Sequence, residues 1–192
     1  MEYQIKRSKR KTMVLTVLPD GHVEVRAPLK TPAELIERFV RSKQDWIAEK
    51  QALSLQRLSQ RDALLAGPVR QLRLLGTHWP ADSRSNQQPA FDGRAFLLPP
   101  GTLRELQPGI IALYKQLAKD YILSRVQELS GHTGLSPTGV RITSAAGSWG
   151  SCSGKNALSF SWRLILAAPR AIDYVILHEL CHTREHNHSP AF

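Results

Sequence analysis

The sequence predicts an α+β fold, with a strand-rich N-terminal part that carries a helix and a C-terminal part in which a small sheet accompanies a histidine-bearing helix. Three observations lead there. Short stretches near the N-terminus, Tyr3 to Arg7, Thr12 to Val17 and His22 to Arg26, read as strands. From Ile110 to Leu129 apolar residues recur at three and four, the period of a helix. Near the C-terminus an alternating stretch, Leu158 to Leu166, runs directly into a second helical pattern that follows Pro169.

In order, the first two strands flank the basic run Lys9-Arg10-Lys11, which reads as a solvated turn. Asp20-Gly21 is a hairpin turn into the strand His22 to Arg26. Thr31-Pro32 opens a helix, with Thr31 as cap and Pro32 at the first position. Its apolar stripe is Leu35, Ile36, Phe39, Val40, Trp46 and Ile47. From Gln56 to Gly67 the pattern weakens, which predicts a frayed helix end and a linker. Val69 to Trp79 and Phe91 to Leu98 predict strands around a polar loop, Asp82 to Pro89. Helix signals return at Pro108 and end over Gly131 to Pro137. Val140 to Thr143 is a short strand, and Ala145 to Lys155 a glycine and serine turn containing Trp149-Gly150-Ser151-Cys152. The chain divides into a strand and helix region over 1–100 and a second region over 101–192, unless the two form one continuous domain.

Composition narrows the class. With 192 residues and 42% hydrophobic content the chain buries a core and is not disordered. Cys152 and Cys181 make no disulfide framework, no signal-peptide core is present, and no apolar run approaches membrane-spanning length. These features predict a cytoplasmic protein without a membrane partner. The formal net charge of +10 favours acidic partners, although it also serves solubility. A nucleic-acid partner fits that charge but is supported by no motif, because no charge cluster has aromatic interleaving.

The chemistry concentrates at His178-Glu179-Leu180-Cys181-His182, a His-Glu-x-x-His pattern. On a helix, positions i and i+4 lie one turn apart on the same face, so both imidazoles reach one metal ion while Glu179 sits beside the water to be activated. A tetrahedral site needs a further ligand. Glu185 shares the face but lies about 10 Å from His178 along an unbroken helix. Asn187 tolerates the left-handed conformation that closes a helix, and Pro190 prevents resumption, so His188 can swing under the metal. His186 is the rival third ligand and precedes the expected break. The predicted set is His178, His182 and His188 around one zinc ion, with Glu179 as general base.

Trp149-Gly150-Ser151-Cys152-Ser153, Trp162-Arg163-Leu164, Ile172-Asp173-Tyr174-Val175, His178 to His182 and Asn187-His188-Ser189-Pro190-Ala191-Phe192 together resemble the YgjP-like metal-dependent hydrolases, a family similar to zincin metallopeptidases and the SprT-like group. The motifs cover roughly the last third of the chain. The resemblance implies a zincin-like region over 101–192, a zinc site from the three histidines, and Glu179 as the base. Ser148 stands where members usually carry a basic residue, and members usually continue past the position of Phe192. In zincin hydrolases a strand beside the metal helix commonly borders the cleft and pairs with an extended substrate, which points to Leu158 to Leu166. Metzincins share the histidine spacing but need a methionine turn after the third ligand, and the only methionines are Met1 and Met13.

These features predict a zinc-dependent hydrolase of the metallopeptidase type acting on a peptide. Two alternatives are a hydrolase of a nucleoside triphosphate or other anionic small molecule, and a non-catalytic metal-stabilised binding module with Cys152 as a spare ligand. Arg163 and the backbone amides of Gly147 to Ser153 are candidate oxyanion stabilisers.

Overall fold

A computed structural model describes residues 2–84 and 88–188. Pro190, with the rest of the Ser189 to Phe192 segment, lies outside the described residues, as do residues 85–87 of the polar loop. The fold is α+β and forms two compact units, residues 1–67 and 68–192.

In the first unit, strands β1 (Gln4–Ser8), β2 (Val14–Val17) and β3 (Val23–Pro28) form a sheet of order β1-β3-β2. The central β3 is parallel to β1 and antiparallel to β2. Alternation decides its faces. Val23, Val25 and Ala27 are buried against Ile36, Val40 and Ile47 of the helices, while Glu24 and Arg26 take the other face. Glu24 is nevertheless only 2% exposed, because Lys6 and Arg26 close over it as ion-pair partners.

Two helices follow where the apolar stripe predicts one. Helix α1 (Ala33–Arg41) and helix α2 (Gln44–Ala66) are separated by a turn at residues 42–43. Pro32 is the N-cap, with ψ 146°, and no side chain caps α1. The Thr31 cap and first-turn Pro32 expected from sequence are thus displaced by one residue, since extended Pro32 still offers its carbonyl to Ile36. The linker expected over 56–67 is helix almost to its end. Its leucine, glutamine, alanine and arginine residues favour helix, and no clean apolar stripe is needed where the helix is largely solvated.

The second unit holds two sheets around a long helix. Strands β4 (Gln71–Leu74), β5 (Thr77–Ser83), β6 (Ala90–Phe91) and β7 (Phe96–Leu98) form a sheet of order β4-β5-β7-β6. The stretch read as one strand over Val69 to Trp79 is a hairpin. Leu75 and Gly76 both have positive φ, 51° and 80°, as a two-residue turn of matching twist requires. Phe91 to Leu98 is likewise interrupted by a turn in which Asp92 Oδ1 accepts hydrogen bonds from the Arg94 and Ala95 amides.

Helix α3 (Leu103–Thr133) begins before the expected Pro108, which lies inside it. Thr102 and Glu105 form a reciprocal capping box, and Gly134, at φ 71°, closes the far end. Its 31 residues span about 46 Å. Ile110, Tyr114, Ala118, Ile122 and Val126 make its buried face. Tyr114 stacks on Trp162 and donates its hydroxyl to the Arg73 carbonyl at 2.7 Å, joining α3 to β4.

Strands β8 (Gly139–Thr143), β9 (Gly150–Cys152) and β10 (Ala157–Ser161) form the sheet nearest the histidine helix, in order β8-β10-β9. The predicted strand through Leu166 stops at Ser161 and continues as a 3-10 helix, Trp162–Leu166. Trp162, Leu164 and Ile165 are all buried, which a half-exposed strand does not allow. Helix α4 (Pro169–Cys181) follows, with Pro169 in its first turn, as the sequence predicts. No described helix is long and apolar enough to cross a membrane.

The core of this unit joins Phe96 and Leu98, the α3 face, Leu158 and Phe160 of β10, the 3-10 helix, and Ile172, Ile176 and Leu180 of α4. The strands over 71–98 therefore pack with the C-terminal helices.

Candidate metal centre

Helix α4 is held by a buried stripe, an ion pair and a close approach at its N-terminal end. Ile172, Ile176 and Leu180 are its fully buried stripe. Asp173 accepts a bidentate pair from Arg125 of α3, at 2.9 Å on each arm. Gly76 presses on the residue before the helix: a Cβ there would come within 2.9 Å of Ala168 Cα. The opposite face of α4 is left to carry His178.

The helix ends sooner than the sequence predicts. Cys181 is its last residue and His182 its C-cap, so the break comes well before Asn187. The final turn tightens: Thr183 N bonds to Leu180 O and Arg184 N to Cys181 O. The Thr183 hydroxyl also donates to the Leu180 carbonyl at 2.7 Å, a side-chain bond that competes with helix continuation. His186 is exposed and lies beyond the helix rather than at its end.

The early break still delivers His188. The ligand-capable nitrogens of His178, His182 and His188 all lie within 4.8 Å of one another. His188 Nε2 and His178 Nε2 are 3.2 Å apart. Two nitrogens bound tetrahedrally to one metal ion at about 2.0–2.1 Å would be separated by ~3.3 Å. The His182 ring is nearly perpendicular to both others, at 88° to each. Its Nδ1 lies 2.8 Å from the Glu185 carbonyl, which can only accept, so in the neutral ring the proton is on Nδ1 and Nε2 is the nitrogen left to bind. Burial, reinforced by the charge of His182 and His188, holds His178 below the ordinary imidazole range and favours the neutral form a ligand needs. The donor set therefore fits one metal ion. Among the described residues this cluster contains three histidines, and Cys152 is not a member.

Glu179 points to the side of the cluster. It is 7% exposed and abuts β9: a Cβ on Gly150 would fall 2.7 Å from Glu179 Cγ and 2.8 Å from Oε1. Burial pushes its carboxyl above the ordinary carboxylate range, against the opposing pull of His182 and His188. The same carboxylate and its own burial push the Cys152 thiol up, burial being the larger cause.

Strand β10 is central in its sheet, paired to β8 on one side and β9 on the other. The expectation that it pairs with a substrate is therefore corrected, since both its edges are taken. Strand β9 holds the edge beside Glu179. Ser161 N bonds to Trp149 O and Ser153 N to Ala157 O, and in an antiparallel pair such bonds recur at every second residue. The backbone groups of Gly150 and Cys152 accordingly face away from β10.

Arg163, a candidate oxyanion stabiliser, is a strut for the loop before β9. Its Nη1 donates to the Ser144 carbonyl at 3.0 Å and to the Ala145 carbonyl at 3.3 Å. The Ser161 hydroxyl donates to Ala145 as well, at 2.7 Å. The sequence names Arg163, Asp173 and Gly150 but not these roles for them: the strut to Ser144 and Ala145, the Arg125 anchor, and the close fit against Glu179. Grooves of 550 and 560 Å³ along α3 are lined by none of the three histidines.

The site is that of a metal-dependent hydrolase of the metallopeptidase type. A family model described as the YgjP-like metallopeptidase domain matches residues 11–192, and the chain belongs to that family. No curated protein and no solved structure gives a significant match.

Proposed function

We propose that the chain is a zinc-dependent peptidase in which His178, His182 and His188 hold one zinc ion and Glu179 is the general base. The convergence of three imidazole nitrogens within 4.8 Å, beside a buried glutamate, carries this reading. Zinc, when bound, supplies Lewis acidity that polarises a scissile carbonyl and makes water acidic near neutral pH. Glu179, raised by burial, takes the proton of the attacking water and delivers it to the leaving amine. The Glu185 carbonyl fixes the His182 tautomer. An extended peptide pairs with the outward backbone groups of Gly150 and Cys152 and so lies across Glu179. Both cysteines are free, in keeping with a reducing cytoplasm as its place of work.

A screen of the zinc-loaded chain against unstructured peptides and nucleoside triphosphates tests this. Peptide cleavage abolished by chelation is expected. Chelator-sensitive hydrolysis of nucleotides, with peptides untouched, would place the activity in the anionic class instead.

A further inference from the structure

Two residues of the second unit are left unburied in a way that its core packing does not explain. Among the described residues of 68–192, the large hydrophobic side chains that remain exposed are Trp149, at 56%, and Tyr174, at 70%. Single exposed apolar residues are ordinary on a protein surface. Here both are aromatic, and both border the metal centre. Tyr174 precedes His178 by one turn on the same face of α4, with ring centroids 6.2 Å apart. Trp149 immediately precedes Gly150, the residue against Glu179, and its carbonyl is anchored to Ser161 N at 2.9 Å.

Neither residue serves the fold in an evident way. Trp149 contributes its backbone to the sheet, which any residue supplies. Tyr174 stands on the face of α4 away from Ile172 and Ile176, which are fully buried. An exposed aromatic ring offers a large contact area at small entropic cost, because only two torsions are frozen on binding.

We infer that the substrate is a peptide with an aromatic or long aliphatic side chain next to the scissile bond, and that Trp149 and Tyr174 are the residues that select it. This rests on the peptidase reading of the same centre. A peptide strand laid along β9 places its side chains alternately to either face, within cross-strand reach of the β9 rim on one side and of α4 on the other. Trp149 marks the rim and Tyr174 the helix. Small polar side chains gain nothing from either ring, whereas a phenylalanine or leucine gains apolar contact and, for phenylalanine, ring packing.

Binding is measured by fluorescence anisotropy on the zinc-loaded Glu179→Gln chain, which does not turn substrate over. The probes are two dye-labelled, unstructured decapeptides that differ only in one central phenylalanine or alanine. The phenylalanine peptide should bind on the order of tenfold tighter, a single decade of affinity. Trp149→Ala and Tyr174→Ala should each erase most of that ratio, and Trp149→Phe and Tyr174→Phe should keep it. Equal affinity for the two peptides, no measurable binding of either, or a preference that survives both alanine substitutions overturns the inference. Cleavage by the wild-type chain is scored separately. Preferential binding without any cleavage defeats the peptidase reading and leaves the selectivity standing, and cleavage without preference does the reverse.

Discussion

Gly150 leaves the Glu179 carboxylate the space it occupies. Any side chain there would meet Cγ at 2.7 Å and Oε1 at 2.8 Å, so Gly150→Ala must displace the base or the strand. A displacement near 1 Å costs on the order of a hundredfold in rate when the shifted group does chemistry. Gly150→Ala should therefore lose about that much turnover while binding zinc as before, since Gly150 is not one of the clustered residues; unchanged turnover would remove Glu179 from its role. The third ligand is tested at the same scale. His188→Ala should lose most of its zinc on dialysis and His186→Ala should keep it, measured by metal content, because His188 Nε2 is 3.2 Å from His178 Nε2 whereas His186 is exposed and outside the cluster. The reverse result would sink the ligand set. Spacing made the first two histidines legible, since i and i+4 share a helical face. It did not reveal where the helix stops. That depends on a hydroxyl bond from Thr183 to Leu180 and on a carbonyl from Glu185 to His182, neither of which leaves a pattern in sequence.

Elements were legible where one periodicity runs unopposed and illegible where a turn has no turn residues. Helix α3 is plain from its apolar spacing, but its start is set by the Thr102 and Glu105 box upstream of Pro108. Leu75 gave no hint of the hairpin, because leucine rarely takes a positive φ; only Gly76 beside it marks the turn. The 3-10 helix mimics a strand because Trp162 and Leu164 keep the alternation of Leu158 and Phe160, and Ile165 alone breaks it. Strand β3 carries a consequence for stability. Hydrogen bonds from Lys6 and then Arg26 hold Glu24 below the ordinary carboxylate range. An unfolded glutamate titrates near ~4.3. The stabilisation from Glu24 is thus fully present above that value and is lost as pH falls through its lower folded pKa. Amide exchange of β3, divided by the intrinsic rate of an unstructured amide at the same pH, should quicken on acidification in the wild-type chain. In Glu24→Gln it should be faster already at neutral pH and show less acid dependence. Parallel profiles for the two would contradict this.

At the scale of the molecule, the family match from residue 11 onward takes in strands of the first unit as well as the histidine helix of the second. Composition revealed a net charge of +10 but not its disposition. Several of the cations are committed within the fold: Lys6 and Arg26 to Glu24, Arg125 to Asp173, and Arg163 to the carbonyls of Ser144 and Ala145. The charge alone therefore argues less for an anionic substrate than the bare count suggests, and the edge strand beside Glu179 argues for an extended peptide. If one zinc ion on three histidines and the carboxylate of Glu179 together make a hydrolase, removal of that carboxylate stops turnover and spares the metal. Turnover of a cleaved peptide and zinc content, measured side by side in the wild-type chain and in Glu179→Gln, test it most directly. Loss of at least about a hundredfold in kcat, the contribution expected of a general base, with one equivalent of zinc retained is the predicted result. Undiminished turnover, or loss of zinc together with activity, would contradict it.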